Sequence, residues 1–359
     1  MRIDRLETVA YSLPFREPYV SVRGTLDRRE LLLVRLHAAG GPTGLGEAAP
    51  LALRGGAGLE ELETELRERC APALEGKKAT VGTLAGLIAA VRGLGVSAQA
   101  ACALDLALHD LVGRVEGEPV WRLLGGERWQ AVTCNATLVA GEPAAVAEQA
   151  QRWVADGFET LKLKVGMPGD VEQVAFVRGR VGDGPRIRVD ANGAWEPDEA
   201  IERLDAMARH GLELAEQPAP DLEGLARVRR GVRVPVAADE SVTGADDARR
   251  AVETGACDLA TVKLAKVGGI AAALGVAHEI PTYLSSALDG PVGIAAAAHT
   301  AQLLPGGGAG IAHGLATQRL LAETIAARGP ELDGPRLSVP DEPGLGVEID
   351  DLALARHKL

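Results

Sequence analysis

The chain has 359 residues, of which 47% are hydrophobic and only 3% aromatic, and its formal net charge is −12 at pH 7. This length predicts two domains, or one large barrel with additions, around a sizeable core of small aliphatic residues. The negative charge argues against nucleic acid or an anionic membrane surface as a partner, and no uncharged apolar stretch reaches the roughly 18 residues of a membrane span.

The start of the chain and its cysteines indicate the cellular setting. Met1–Thr8 carries charges where a secretion signal would need an apolar run. The four cysteines are far apart and form no CxxC pair, which favours a reduced, cytoplasmic setting. The histidines form no ligand-like pair, so zinc chemistry is disfavoured. The oligomeric state stays open at this point.

Residues 1–126 are predicted to form an α+β capping domain. Arg2–Tyr11 and Glu30–His37 read as antiparallel strands, separated by a loop that contains two prolines and a glycine. Residues 58–75 are predicted to form an amphipathic helix. Ser97 is a suitable N-cap for a second, apolar helix over Ala98–Gly113.

From about residue 132 the pattern alternates between apolar strands and amphipathic helices. Eight strands are predicted, at Val132–Leu138, Thr160–Val165, Ile187–Asp190, Leu212–Glu216, Val234–Asp239, Leu259–Leu264, Thr282–Ser285 and Gly310–His313. Eight such units predict an α/β protein with a (β/α)8-type barrel, a modified TIM barrel, over residues 127–328. Residues 329–359 are expected to return to the capping domain.

Five charged residues lie at or near the ends of these strands, each about one strand–helix unit after the last: Lys164, Asp190, Glu216, Asp239 and Lys263. Because barrel chemistry lies at the C-terminal strand ends, the five side chains are expected to converge on one mouth. Three carboxylates with no His or Cys suit Mg²⁺. Each carboxylate alone could instead cap the next helix, but three at the same spacing favour a metal site.

Lys162 and Lys164 alternate with leucines in the second strand. The period of two places both lysines on one face, which is the barrel interior if the leucines face the helices; the opposite register would turn the leucines inward. Crowding by Lys162 and a metal should favour loss of a proton from Lys164, which would make it a usable base.

Lys263, on the sixth strand, is the inward-facing candidate across the mouth, whereas Lys266 is interpreted as a loop or helix-start charge. A cation and two amine groups around a substrate suit one task, namely removal of a proton next to a carboxylate and stabilisation of the resulting enediolate. A small-molecule carboxylate is therefore the expected partner.

These motifs resemble the enolase superfamily, in its muconate-lactonizing subgroup. The resemblance rests on Lys162–Lys164, Val189–Trp195, Glu216–Pro218, Ala238–Ser241 and Lys263–Gly269. It implies an enolase-like barrel with a capping domain, Mg²⁺ bound by Asp190, Glu216 and Asp239, and Lys164 and Lys263 as catalytic residues.

Within that superfamily the chain resembles the o-succinylbenzoate synthases of menaquinone biosynthesis, on Pro14–Thr25, Asn135–Thr137, Ser285–Asp289 and His313–Thr317. This resemblance implies a lyase that dehydrates 2-succinyl-6-hydroxy-2,4-cyclohexadiene-1-carboxylate to 2-succinylbenzoate. Lys164 would take the proton and then assist loss of the hydroxyl group, and Lys263 would stabilise the intermediate as a cation. Ser285 or Ser286 would contact the succinyl carboxylate or its surroundings.

Further substrate contacts are predicted at Lys162, Asn192 and Arg23. The loop residues Tyr19, Ser21 and Arg23 either close over substrate or form an ordinary connection. Asn192 and Glu240 either support the site or act as turn and cap residues.

Other functions remain open on the same residues. The nearest is a racemase of N-acylamino acids or a dipeptide epimerase, in which Lys164 and Lys263 act as bases on opposite faces. Muconate cycloisomerase is a further relative. A scaffold protein with a retired site is disfavoured, because buried lysines without a function are costly.

Overall fold

A computed structural model of the protein describes residues 1–359 except 22–23, 52–54, 128 and 306–309. Its N-terminal part is a three-stranded antiparallel sheet of β1 (Ile3–Ser21), β2 (Gly24–Ala38) and β3 (Thr43–Ala48), in that order. In the described part of the chain five helices follow: α1 (Leu59–Glu65), α2 (Ala71–Leu74), α3 (Val81–Gly93), α4 (Ala98–Glu116) and α5 (Val120–Leu123). A π-helical turn over Leu66–Cys70 joins α1 to α2, so the predicted amphipathic helix is one nearly continuous element.

The β1–β2 hairpin is longer than predicted, because β1 runs through Pro14 and Pro18 instead of stopping at a loop. Its pairing extends from Ile3–Ala38 to Ser21–Gly24, with an irregularity between Pro14 and Tyr19. Since β1 is the edge strand of its sheet, a proline without an N–H group costs little there. The Ala140 amide donates to the Val20 carbonyl at 3.2 Å, so the described end of β1 contacts the second part of the chain.

Helix α4 begins as the sequence predicted. The Ser97 hydroxyl accepts a hydrogen bond from the Ala100 amide at 3.2 Å. The helix ends at Glu116, three residues later than predicted, and the next residue is Gly117, whose φ of +76° is the left-handed conformation that glycine adopts without strain.

The second part of the chain has a parallel seven-stranded sheet in sequence order, flanked by helices. Its strands are β5 (Ala136–Leu138), β6 (Thr160–Lys164), β7 (Arg186–Asp190), β8 (Leu212–Glu216), β9 (Val236–Ala238), β10 (Leu259–Val262) and β11 (Thr282–Leu284). The helices are α6 (Pro143–Ala155), α7 (Asp170–Val181), α8 (Pro197–Ala208), α9 (Leu222–Gly231), α10 (Ala245–Thr254), α11 (Leu264–Val267), α12 (Ile270–Glu279) and α13 (Pro291–Ala301). The alternation confirms the predicted barrel class.

The predicted first and eighth strands differ from regular strands. Only the second half of Val132–Leu138 joins the sheet, because β4 (Val132–Thr133) pairs instead with the C-terminal tail. The segment around His313 is not a regular strand, yet it hydrogen-bonds to both sheet edges. The Asn135 amide donates to the His313 carbonyl at 2.8 Å, and the Gly314 amide donates to the Leu284 carbonyl at 2.8 Å. Backbone bonds through this segment thus close the barrel.

The C-terminal tail follows a 3₁₀ turn over Ala316–Leu320 and contains β12 (Ala326–Arg328), β13 (Leu332–Asp333), β14 (Arg336–Leu337), β15 (Glu348–Ile349) and α14 (Asp351–His357). The tail contacts the N-terminal part, since the Leu359 amide donates to the Ala10 carbonyl at 3.0 Å. None of the helices in the described part of the chain combines the length and apolarity needed to cross a lipid bilayer.

Candidate active site

The C-terminal ends of the parallel strands open into a cavity of about 300 Å³ beneath the β1–β2 hairpin. Its lining includes Tyr19 and Ser21 from the hairpin and Lys162, Lys164, Lys263 and Ser285 from the strand ends. Residues from both parts of the chain therefore enclose one space, at the place where barrel active sites lie.

Strand β6 presents its two lysines to the barrel interior, as the period-two pattern predicted. Lys162 and Lys164 are only 3% and 5% exposed, while the alternating leucines belong to the hydrophobic core. The Lys162 ammonium donates to both oxygens of Glu216, at 2.6 and 2.7 Å, and lies 2.9 Å from Asp190 Oδ2. The Lys164 ammonium donates to Asp190 Oδ2 at 2.6 Å and to Asn192 Oδ1 at 3.2 Å.

The three predicted metal ligands come from adjacent strand ends and are almost fully buried. Asp190 and Glu216 end β7 and β8, and Asp239 directly follows β9. Asp190 Oδ1 accepts a hydrogen bond from the Asn192 amide at 3.0 Å. Asp239 Oδ2 accepts from the Lys263 ammonium. The structure therefore brings the five predicted charged residues together at one end of the barrel.

Lys266 also belongs to this cluster, so its interpretation as a loop or helix-start charge missed its contacts. It lies in the one-turn helix α11, and its ammonium donates to Asp239 Oδ1 at 2.8 Å and to the Thr261 carbonyl at 3.1 Å. The sequence feature that could have indicated these contacts is the position of Lys266 three residues after Lys263, because residues three apart lie on the same face of a helical turn.

Charge pairing governs protonation in this cluster. Burial lowers the pKa of Lys162, but the charges of Asp190 and Glu216 raise it well above its ordinary value, so this side chain stays an ammonium. Burial raises the pKa of Asp190, yet Lys162 and Lys164 hold it well below its usual range. Burial and the charge of Asp190 raise the pKa of Glu216.

The fit of a divalent cation follows from these contacts. Among the residues that the structure describes, no three His, Cys, Asp or Glu side chains are arranged to hold a metal ion, and ammonium groups contact all three carboxylates. The donors are nonetheless the hard oxygens that Mg²⁺ prefers, and one ammonium already bridges two of them. The residues fit Mg²⁺ provided that the lysine side chains turn toward the cavity when it binds.

The other predicted contacts differ in their placement. Ser285 and Ser286 both line the cavity, but the Ser286 hydroxyl donates to Asp289 Oδ2 at 2.9 Å, so its one proton is committed. Asn192 donates to Glu240 Oε1 at 2.9 Å and supports Lys164. Arg23 lies outside the described residues.

Arg28 and Tyr283 are among the side chains near the site that the sequence analysis did not single out. Arg28 lines the cavity, and its guanidinium is held by donating to the Ser12 hydroxyl at 3.0 Å. Tyr283, on β11, donates its hydroxyl to Glu216 Oε2 at 2.5 Å. Alternation along β11 could have indicated the inward direction of Tyr283, but not its partner.

Comparisons with known proteins agree with this architecture. Residues 5–125 match the family described as mandelate racemase / muconate lactonizing enzyme, N-terminal domain, and residues 145–353 match the enolase C-terminal domain-like family. The L-Ala-D/L-Glu epimerase of Bacillus subtilis is 32% identical, with 97% of each chain covered. The o-succinylbenzoate synthase of Mycobacterium marinum is 42% identical, over 58% of this chain and 65% of that protein. The dipeptide epimerase of Enterococcus faecalis, in a structure with Mg and the dipeptide L-Leu-L-Tyr, superposes with a TM-score of 0.90 at 30% identity, covering 97% of this chain and 100% of that one.

Proposed function

The chain belongs to the enolase superfamily, with an N-terminal domain of the mandelate racemase and muconate lactonizing type, and from that premise we propose that it is a Mg²⁺-dependent racemase or epimerase of N-acylamino acids or dipeptides. The observation that carries the proposal is the placement of two buried lysines. Lys164 ends β6 and Lys263 follows β10, four strands away in the sheet, and both line the same cavity. Two amines on different sides of one cavity suit proton removal and proton return on opposite faces of a carbon atom.

The charge of the site suits a carboxylate substrate. Four lysine ammonium groups, those of Lys162, Lys164, Lys263 and Lys266, contact three carboxylates. Bound Mg²⁺, held by the three carboxylates, would supply the positive charge that offsets the negative charge developing on the substrate carboxylate. An anionic substrate is therefore attracted, and the Lys162 ammonium adds a positive charge to the cavity lining.

The lysines would carry the proton steps. In its neutral form, Lys164 Nζ takes the proton from the α-carbon on one face, and the electron pair of the C–H bond delocalises into the carboxylate. The Lys263 ammonium then donates a proton to the same carbon from the other face. The reverse reaction exchanges these two roles, so each enantiomer has its own base.

The share of the chain that aligns with each kind of relative favours epimerisation over the dehydration that the sequence predicted. Relatives that align with nearly the whole chain include two L-Ala-D/L-Glu epimerases at 32% identity. The o-succinylbenzoate synthase relatives are 41–42% identical, but over only 58% of the chain. That higher identity keeps dehydration of 2-succinyl-6-hydroxy-2,4-cyclohexadiene-1-carboxylate as the second candidate. Both reactions begin with the same proton removal by Lys164.

Proton exchange in ²H₂O separates the candidates. Each enantiomer of a panel of N-acylamino acids and dipeptides is incubated with enzyme and Mg²⁺, and loss of the α-proton signal is followed by NMR. Wild-type enzyme is expected to exchange both enantiomers of its substrate. Lys164→Ala should lose exchange of one enantiomer, and Lys263→Ala should lose exchange of the other.

Lys77→Ala is the matched control, since Lys77 is an exposed lysine of the N-terminal part. It should exchange both enantiomers at the wild-type rate. Dehydration of the cyclohexadiene substrate, measured by absorbance, is assayed with the same preparations. Efficient dehydration without α-proton exchange on any amino-acid derivative would refute the racemase proposal and establish the second candidate.

A further inference from the structure

The three carboxylates at the strand ends share one hydrogen-bonding pattern. In each, one oxygen accepts from a donor that does not line the cavity, and a lysine that lines it contacts the other. For Asp190 the donor is the Asn192 amide, 3.0 Å from Oδ1, and Lys164 contacts Oδ2. For Asp239 the donor is Lys266, 2.8 Å from Oδ1, and Lys263 contacts Oδ2.

In Glu216 the outer donor is a tyrosine, and the lysine contacts both oxygens. The Tyr283 hydroxyl donates to Oε2 at 2.5 Å, whereas Oε1 has only the Lys162 ammonium, at 2.7 Å, among its hydrogen-bond donors in the described chain. Lys162 also donates to Oε2, so removal of the phenol would still leave this carboxylate with a partner.

Tyr283 itself is held rigidly. Its side chain is fully buried, and the guanidinium carbon of Arg188 lies 4.9 Å from the centre of its ring. Arg188 is also fully buried, and it donates to the Ala312 carbonyl at 2.7 Å and to the Glu213 carboxylate. Close packing around the ring and the guanidinium over its face favour the ring orientation that places the hydroxyl against Glu216.

We infer that Tyr283 is a positioning residue for the metal site, because its hydroxyl holds Oε2 of Glu216 and would leave Oε1 to bind the cation. Tyr283 is not among the described residues that line the cavity, and it would act through the carboxylate. The inference rests on the proposed function, because it takes Glu216 as a Mg²⁺ ligand. A carboxylate oriented before metal arrives loses less freedom on binding, and removal of such supporting partners typically weakens metal affinity by about 10-fold to 100-fold.

Replacement Tyr283→Phe tests the inference, since it deletes one buried oxygen atom and keeps the ring. The Mg²⁺ dissociation constant of the metal-free, full-length protein is measured by titration calorimetry without substrate. We expect a dissociation constant raised by about tenfold or more. At saturating Mg²⁺ the kcat for α-proton exchange should return close to the wild-type value, while the Mg²⁺ concentration for half-maximal rate rises by the same factor as the dissociation constant.

Tyr11→Phe is the matched control. Tyr11 is equally buried and also donates its hydroxyl to a buried carboxylate, Glu47 Oε2 at 2.8 Å, in the N-terminal part. Both variants delete the same kind of hydrogen bond and should lower the urea midpoint by similar amounts. Only Tyr283→Phe should weaken Mg²⁺ binding.

The outcomes separate the inference from the proposed function. A Tyr283→Phe protein that binds Mg²⁺ as tightly as wild type would overturn the positioning role and leave the racemase proposal standing. Equal weakening in both variants would also overturn it, since the effect would then follow general stability. Wild-type protein that binds no Mg²⁺ would remove the premise of both.

Discussion

Glu47→Gln is expected to change how the stability of the protein depends on pH. Glu47 lies on β3, and only 3% of it is exposed. Its Oε2 accepts from the Tyr11 hydroxyl at 2.8 Å, and its Oε1 accepts from the Gly290 amide at 2.7 Å. Gly290 directly precedes α13, so this carboxyl group joins the N-terminal sheet to the start of a barrel helix.

Burial, assisted by the charge of Asp289, raises the pKa of Glu47 from 4.5 to about 7. The native state therefore binds more protons at this site than the unfolded chain does between those two values. Stability contributed by the protonated group is complete below pH 4.5 and is lost as the pH rises through 7. Between pH 5 and pH 8 the loss is roughly 2.5 kcal/mol, as an order of magnitude from a pKa difference of this size.

The assay is urea unfolding of wild type and Glu47→Gln at pH 5, 6, 7 and 8. Glutamine keeps a carbonyl acceptor for the Gly290 amide and cannot ionise, so the variant should gain stability relative to wild type as the pH rises. The difference in the free energy of unfolding should change by roughly 2.5 kcal/mol over this range. Parallel curves for the two proteins would refute the reasoning, because they would mean that Glu47 titrates alike in the folded and unfolded states.

Three further outcomes are expected. Chelation of divalent ions with EDTA should abolish α-proton exchange, and added Mg²⁺ should restore it; full activity in EDTA would contradict a metal role. Lys162→Met removes the cation between two buried carboxylates and should lower the free energy of unfolding, measured by urea titration in EDTA, by about 3 kcal/mol. Saturating Mg²⁺ should partly reverse this loss of stability. Gly46→Ala should destabilise the protein by about 2 kcal/mol or more, because its Cβ would lie 1.9 Å from the Ala103 carbonyl oxygen. Its control Gly82→Ala, in α3 with open space around it, should be neutral or slightly stabilising in thermal unfolding.

The pattern of neighbouring residues was sufficient to predict the direction in which side chains point. Alternation in Thr160–Lys164 predicted that both lysines point into the barrel, and the helix after Ser97 began at the predicted residue. These features depend on a few neighbouring residues, whose geometry repeats with a fixed period. The barrel class followed for the same reason, since each strand–helix unit repeats the same local pattern.

Pairing between distant segments was harder to predict from the sequence. Two prolines suggested a loop in the first hairpin, but their strand lies at a sheet edge, where a missing N–H group is tolerated. The predicted eighth strand instead bonds through single residues to both edges, because the curvature of the other seven strands brings those edges within reach of one short segment. Neither outcome is visible in the composition of the segments themselves.

The sequence by itself determined which charged residues gather at one end of the barrel: three carboxylates and the lysines, placed at strand ends by a repeating unit and directed inward by strand alternation. Only the tertiary structure decided which carboxylate oxygen each donor contacts. Lys266 donates to Oδ1 of Asp239, and Tyr283 donates to Oε2 of Glu216. It also decided that ammonium groups pair with all three carboxylates. Such contacts join residues 24 to 67 positions apart. They depend on the register of neighbouring strands and on barrel closure, and a shift of one residue would replace every partner.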